Sequence, residues 1–528
     1  MNWRKGGMAM NKLWSLPYFR FLWEANKVLV LFLVFAYTAL IGLPFAAPST
    51  LTFTGYNPYE KVPFAGGLHN GSILALILCF ALPVITFRLV HRRTAVDTFF
   101  ALPVSRKQML FTTIVFDWLT AFGLFGVIST VLYILTGSFL NVSLTLFLQV
   151  LAVSAIGVLA LLCVNGGLFL LGNHFFDGLV ILAGWTLVPV TARMVVSNFI
   201  RNLWAGASDF AWSYGEGRVR FFSAYQMMNA KISGILNEMV NAEYTPVKWY
   251  FPVIFAHLCI GIALLIQHFV NRKAERAEQL SSSAFAYPGL VRTYVFLYLI
   301  MICSYTVSGS YGSQLLYFVL VLLIYVTATF IYQRRIRISW RSFAIFCLIF
   351  AASYGFCLSA WNTRFFGMGD RSPAFDSNYT VYSYTQVVTE ADLTGEEDDD
   401  AKYNQAAEIA IRLSVPKGQE SEYAEQIALF ERFRERCVNQ FYHEETAESE
   451  ITNSMNVFGS AEKEESYSED GWRYAYYTDL SFDLDELKLL EEKAEVTVYD
   501  WYTYDFYTLE DLENGVLLNN LIQAGMMD

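Results

Sequence analysis

Nine separate runs of apolar residues constrain what this chain can fold into more than any other feature of its sequence. A helix needs about 20 apolar residues to cross a hydrocarbon core of about 30 Å. The runs cover residues 28–46, 71–89, 110–136, 143–171, 178–198, 249–270, 293–310, 314–333 and 342–361. Hydrophobic residues make up 55 % of the chain and charged residues 16 %, against roughly a quarter charged in an ordinary soluble domain. The sequence therefore predicts a polytopic membrane protein.

Charge divides the chain into two pieces of opposite sign. Residues 1–362 hold 25 Lys and Arg against 11 Asp and Glu, a net charge of +14, and residues 363–528 hold 12 against 37, a net charge of −25. The last apolar run ends where the charge changes. We therefore expect a six-span core over residues 1–280, three additional spans over 281–362, and an acidic α+β domain over 363–528.

The basic residues outside the apolar runs predict the orientation. The segment before the first run and the connections 88–107, 272–292 and 334–341 carry five, five, four and four Lys or Arg residues, and the short connection 172–177 carries none and is neutral. The other connections carry none or one, or spread five over residues 199–248. The positive-inside rule places the richer segments, and the N-terminus, in the cytoplasm. The expected fold is an all-α polytopic domain of about nine transmembrane helices in the plasma membrane, followed by a small extracytoplasmic α+β domain.

The C-terminal region has the pattern of a folded domain. The stretches SNYTVYSYTQVV, GWRYAYYTDL and WYTYDFYTL are rich in aromatic and β-branched residues, as strands are. Tyr423, Ile427, Phe430 and Phe433 recur at helical spacing. We expect a small α+β domain with solvated acidic faces, and a domain that binds a cationic peptide or another ligand is the alternative.

Motifs for chemistry within this chain are few. ATP hydrolysis would need a phosphate-binding loop that contains Gly-Lys, and the sequence has no such dipeptide. No Cys-x-x-Cys pair indicates a metal site, so we expect no enzyme activity, metal or cofactor in this chain. Asp117 and His257 lie within apolar runs and are candidate functional residues, because ionisable groups are costly in lipid. A satisfied hydrogen bond between helices is the alternative for both.

The segment HRRTAVDTFFALPVSRKQ, residues 91–108, connects the second and third runs and holds two predicted helix starts. Two patterns match capping boxes: Thr94 with Asp97, and Ser105 with Gln108. The first helix would cover residues 94–101, since the residue before Pro103 avoids helical geometry. Val96, Phe99 and Phe100 would share one face of it.

A helix of this length spans only about 10 Å and cannot cross a membrane. We expect a cytoplasmic peg ringed by positive charge. Its apolar face would either fit a groove on a soluble partner or dip into lipid headgroups, with the arginines on anionic lipid.

The order of these residues resembles that of permeases of the ABC-2 type, especially those of Gram-positive bacteria. The match is carried by Arg93-Thr-Ala-Val-Asp97 and by Leu102-Pro-Val-Ser-Arg-Lys-Gln108. In such permeases this connection is the coupling helix that contacts a separate ATP-binding subunit. By this resemblance, the coupling residues would be Val96, Asp97, Phe99, Phe100, Leu102, Pro103 and Arg106.

The resemblance extends over about residues 11–280. Residues 11–27 are similar to the amphipathic connecting helix of these permeases, and residues 271–279 resemble their basic-acidic tail. The three later spans and the C-terminal domain resemble those of an extended subgroup of these permeases, which has extra spans and an extracytoplasmic C-terminal domain.

The resemblance implies a permease subunit, usually of an exporter, driven by an ATPase subunit that binds ATP and Mg²⁺. A second permease chain, identical or related, and the lipid bilayer would be its other partners, and nucleic acid would not be one. Two other functions remain open. One is a sensory or mechanotransmission protein whose outer domain binds a ligand. The other is a membrane glycosyltransferase, for which Glu60 is the only acid in residues 46–70.

Overall fold

The computed structural model describes most of the chain. The described residues are 14–46, 63–136, 142–206, 223–241, 249–272, 283–309, 315–333, 336, 340–371, 377–389, 405–443, 453–460, 473–478, 481–500, 506–514 and 516–517. Within them the chain is mostly helical, with one antiparallel sheet in the C-terminal region.

Twelve α-helices precede the sheet in the described ranges. They are α1 (Leu16–Ala46), α2 (Pro63–Phe87), α3 (Arg93–Phe100), α4 (Arg106–Trp118), α5 (Leu124–Thr136), α6 (Leu144–Leu171), α7 (Phe175–Leu203), α8 (Ala224–Asn241), α9 (Tyr250–Leu265), α10 (Tyr287–Val307), α11 (Leu315–Gln333) and α12 (Trp340–Asn362). A 3-10 turn, Arg88–His91, follows α2. Two π-helical segments occur: Leu119–Gly123 joins α4 to α5, and Ile266–Val270 extends α9.

Nine helical stretches among the described residues are long and apolar enough to cross a membrane. They are Leu16–Phe45, Pro63–His91, Arg106–Thr136, Leu144–Leu171, Phe175–Leu203, Tyr250–Val270, Tyr287–Val307, Leu316–Gln333 and Trp340–Asn362. Each contains most of one predicted apolar run, so the number and order of the long helices are confirmed. This arrangement is consistent with a multi-pass membrane protein.

The first long helix differs from its prediction. The first predicted span begins at residue 28, but α1 begins at Leu16 and continues without a break to Ala46, so it includes most of the segment 11–27 that is similar to a connecting helix. No Gly or Pro interrupts the sequence between Tyr18 and Ile41, so nothing there ends the helix. The amphipathic segment is therefore the first part of α1.

Helix α8 was not expected, since residues 199–248 were interpreted as a connection. It lies against α6, with Met228 and Ile232 fully buried. The approach is close at Gly157 of α6, where a Cβ atom would lie 2.7 Å from the Met228 Sδ. Lys231 makes the segment too polar to read as a span.

The chain forms two compact units. The first consists of Met1–Arg193, Gly217–Tyr294 and Ala328–Ile336, and the second of Met194–Glu216, Val295–Thr327 and Arg337–Asp528. The main core of the first unit is formed by α1, α2, α5, α6, α8 and α9, and includes Tyr37, Phe64, Phe125, Phe147 and Tyr250.

The C-terminal part of the second unit is an α+β domain, as the sequence predicts. Its strands are β1 (Tyr379–Thr389), β2 (Gln405–Pro416), β3 (Asn453–Ser460), β4 (Arg473–Thr478), β5 (Glu495–Asp500) and β6 (Phe506–Tyr507), in the order β4-β3-β1-β2-β5-β6 with every neighbouring pair antiparallel. Its helices are α13 (Ala424–His443), α14 (Leu484–Glu491) and α15 (Leu509–Glu513). The α13 rings of Phe430 and Phe433 pack on Tyr382 and Tyr384 of β1, with ring centroids 5.3 and 5.1 Å apart. The helix predicted from Phe430 and Phe433 is therefore confirmed.

Candidate functional site

The candidate site is the short helix α3 with the residues that hold it in place. Helix α3 covers Arg93–Phe100, close to the predicted 94–101. Its N-cap is Arg92, whose side chain makes no capping bond, so the predicted cap at Thr94 is wrong. Thr94 lies inside the first turn because the N-cap is two residues earlier than expected.

The second predicted cap is confirmed at the start of α4. The Gln108 main-chain N–H donates to Ser105 Oγ at 3.3 Å, and the Ser105 N–H donates to Gln108 Oε1 at 3.1 Å. This capping box fixes where α4 begins. Residues 101–105 therefore form a short turn between two helices, and Pro103 is exposed on it.

The apolar face of α3 is buried within the chain itself. Val96 is 0 % and Phe99 is 7 % exposed. The Phe99 ring packs edge-on against Tyr18 of α1, with centroids 6.2 Å apart, and Leu102 is half-buried in the same cluster. Val96 and Phe99 therefore do not form an exposed apolar face, because the helix turns this face towards its own chain. The side chain of Phe100 lies outside the described residues.

The face of α3 that remains at the surface is polar. Arg93, Thr94 and Asp97 are exposed on the helix, and Lys107 is exposed beyond it. Of the residues predicted for coupling, Asp97 and Pro103 therefore lie where a partner could touch them. Contact with an ATPase stays a prediction.

Arg106 ties the start of α4 to the end of α9. Its Nη1 donates to the main-chain oxygen of Val270 at 3.3 Å and to that of Arg272. The last carbonyls of a helix lack partners within it and carry partial negative charge, so a guanidinium is well suited to them. Arg106 was predicted to face a partner, and the structure shows it half-buried against its own chain.

Arg272 makes a second link of this kind and was not predicted. It is 3 % exposed, and its Nη1 donates to Leu170 O at 3.1 Å and to Gly172 O at 3.3 Å, at the end of α6. A basic residue directly after the end of a span is the signal that could have indicated it. Together Arg106 and Arg272 connect α4, α9 and α6 at one end of each helix.

Asp117 is buried in the interior of the first unit. The Thr86 hydroxyl lies 3.0 Å from Asp117 Oδ2 and 2.9 Å from Leu82 O, and one hydroxyl proton serves only one of them. Asp117 Oδ1 has no hydrogen-bond partner among the described residues. A neutral carboxyl group that donates to Thr86 would satisfy this geometry, because Thr86 could then donate to Leu82.

A π-helical turn, Leu119–Gly123, follows Asp117 almost directly. The Tyr37 hydroxyl donates to Ala121 O within this turn at 2.7 Å. Such turns are frequent at functional sites.

His257, the other candidate from the apolar runs, makes a hydrogen bond within its own helix. Its Nδ1 lies 2.8 Å from Val253 O. Within the described ranges no hydrogen bond or ion pair joins His257 to Asp117, so the two candidates do not form one site. Glu60 lies outside the described residues.

Among the described residues, no group of three or more His, Cys, Asp or Glu side chains could hold a metal ion. Comparison of the chain with models of protein families, with curated proteins and with solved structures finds no match in any of the three. The resemblance of residues 11–280 to ABC-2 permeases therefore stays a prediction.

Proposed function

We propose that this chain is the permease subunit of an ATP-binding cassette transporter, an exporter of the ABC-2 type, driven by a separate ATPase subunit. One observation carries the proposal. A short helix, α3, stands between two long apolar helices with its polar face exposed and its apolar face fixed to the chain. A soluble partner that binds the polar face could displace such a helix, and the contacts of the apolar face would transmit that displacement to the long helices.

The contacts of α3 suggest how this displacement is transmitted. Phe99 packs on α1 through Tyr18, and α3 leads through a short turn to α4. Arg106 then connects α4 to the end of α9, where Arg272 reaches the end of α6. Close-packed interiors deform little, so a displacement of α3 would reach several long helices together.

The partner would contact α3 through complementary charges. The exposed face presents Arg93 and Asp97, so the docking surface of the ATPase would be polar. ATP and Mg²⁺ would bind in that subunit. A second permease chain, identical or related, would complete the path through the plasma membrane, with the N-terminus in the cytoplasm and the C-terminal domain outside.

The test is charge reversal on the exposed face of α3. Asp97→Arg should abolish co-purification of the ATP-binding cassette subunit from native membranes, measured by mass spectrometry. Glu435→Arg reverses an exposed charge on α13 and is the matched control. Equal recovery of the ATPase with both variants, or no ATPase with the unmodified chain, would overturn the proposal.

A sensory or mechanotransmission protein is the second candidate function. The observation that favours it is contact of the C-terminal domain with the ends of two long helices: the Tyr442 hydroxyl donates to Leu203 O of α7, and the Tyr442 ring packs on Trp361 of α12. In that case, deletion of residues 363–528 would abolish the response, while charge reversal at Asp97 would leave ligand binding unchanged.

A further inference from the structure

After α12 ends at Asn362, residues 364–367 form a turn with left-handed backbone conformation. Arg364, Phe365 and Phe366 have φ values of 48, 55 and 57°, and Gly367 has 76°. Side chains other than glycine meet a steric penalty in this region, and three such residues in a row are unusual. A strained backbone of this kind persists only where the surrounding contacts determine it.

The first of these contacts is aromatic. The Phe365 ring is 6 % exposed and stacks on Trp204, just after α7, with centroids 5.0 Å apart and planes 6° apart. It also lies 5.7 Å from the ring of Phe199. Phe366 is 46 % exposed and packs on Phe356 of α12 instead.

Polar contacts fix the same turn to the C-terminal domain. Arg364 Nη1 donates to Asp370 Oδ1 at 2.8 Å, and its Nη2 donates to Asn439 Oδ1 of α13 at 3.1 Å. The Gly369 N–H donates to the Arg364 carbonyl at 2.9 Å, and the Arg434 guanidinium donates to Gly369 O at 3.4 Å.

The C-terminal domain also makes hydrogen bonds and packing contacts with the end of α7. The Tyr442 hydroxyl donates to Leu203 O at 2.9 Å and accepts from the Ala205 N–H at 3.4 Å. Its ring lies 5.0 Å from that of Trp361. At Gly206, with φ of 83°, a Cβ atom would lie 2.5 Å from the Tyr476 ring.

We propose that residues 364–367 form a rigid joint, which holds the C-terminal domain to the carboxyl ends of α7 and α12 as one body. A ligand or a load that displaces the domain would then move both helix ends together. Loss of the domain contacts would let the strained turn relax and would uncouple the two helix ends. The inference does not depend on the transport function.

The decisive variant is Gly367→Ala, because a Cβ atom there meets nothing within 4 Å and only the backbone penalty is added. Gly418→Ala is the matched control: Gly418 has φ of 87° in the same domain, also in open space, but lies outside the joint. Hydrogen exchange of the full chain in nanodiscs, read by mass spectrometry, measures the effect.

We expect exchange at residues 203–205 and 364–369 to rise roughly tenfold in Gly367→Ala, the size that one such backbone penalty corresponds to. Gly418→Ala should leave residues 203–205 unchanged. A rise confined to 364–369, or an equal rise at 203–205 in both variants, would overturn the joint.

A second pair keeps the test valid if Gly367→Ala does not fold. Phe366→Gly and Phe366→Ala both remove the ring, and they differ in how well the backbone accepts a positive φ. Slower exchange at residues 203–205 in Phe366→Gly than in Phe366→Ala supports the joint, and equal exchange contradicts it.

Discussion

The guanidinium of Arg106 is bonded to the main-chain oxygen of Val270 at 3.3 Å, so the first residue of α4 is tied to the last residue of the π-helical turn that extends α9. The two residues are separated by 164 positions in the sequence. This bond places the end of the α3–α4 connection inside a network of helix ends.

Arg106→Lys should weaken this network, because the shorter lysine side chain does not place its nitrogen where Arg106 Nη1 donates to Val270 O and Arg272 O. The free energy of unfolding should fall by about 2 kcal/mol, the range of hydrogen bonds that involve a charged group. The measurement is thermal unfolding of the purified chain in detergent. Lys107→Ala, at the exposed neighbour, is the control and should have little effect, and equal losses would show that the Arg106 bonds are unimportant.

Phe99→Ala should destabilise the chain by about 3–5 kcal/mol, as the loss of a buried aromatic ring does. Thr94→Ala on the exposed side of α3 should change stability by less than about 0.5 kcal/mol. Chemical or thermal unfolding distinguishes the two. If Phe99→Ala were neutral for stability but abolished binding of an ATPase, the ring would face a partner and its packing on Tyr18 would be refuted.

Asp117→Asn should fold as well as the unmodified protein, because an amide can donate to Thr86 as a neutral carboxyl group does. Asp117→Ala removes that partner and should cost about 1–3 kcal/mol. Unfolding measurements compare the two variants at one pH. Equal destabilisation by Asn and Ala would show that the structure requires a charged carboxylate.

Glu408 should make the stability of the C-terminal domain depend on pH. It lies on β2 opposite Tyr499 and Val387, and burial raises the pKa of its carboxyl group above the ordinary value. The folded domain therefore holds this proton more tightly than the unfolded chain. The stabilisation is complete at low pH and is lost as the pH rises through the folded pKa.

The effect at Glu408 is small because much of the side chain is in water. Glu408→Gln should remove this part of the pH dependence when the full chain is unfolded between pH 4 and 7. An identical pH profile in the variant would contradict the assignment, and Glu435→Gln, at an exposed carboxylate, serves as the control.

Residue patterns predicted the nine long helices, the α+β domain, the Ser105 cap and the helix that carries Phe430 and Phe433. These features depend on local periodicity and hydropathy, and both follow directly from the order of the residues. The sequence did not predict helix α8, because charge interrupts its apolar face. Its burial also depends on Gly157, which lies on another helix.

The sequence alone determined which side chains of α3 share a face, since helical periodicity fixes that. Only the tertiary structure decided that Val96 and Phe99 face their own chain, because periodicity does not say what an apolar face packs against. The left-handed turn at residues 364–367 is also a feature that only the tertiary structure decided. No local signal predicts a positive φ for Arg364 or Phe365, and the conformation exists because Trp204 and Asn439, distant in sequence, hold it.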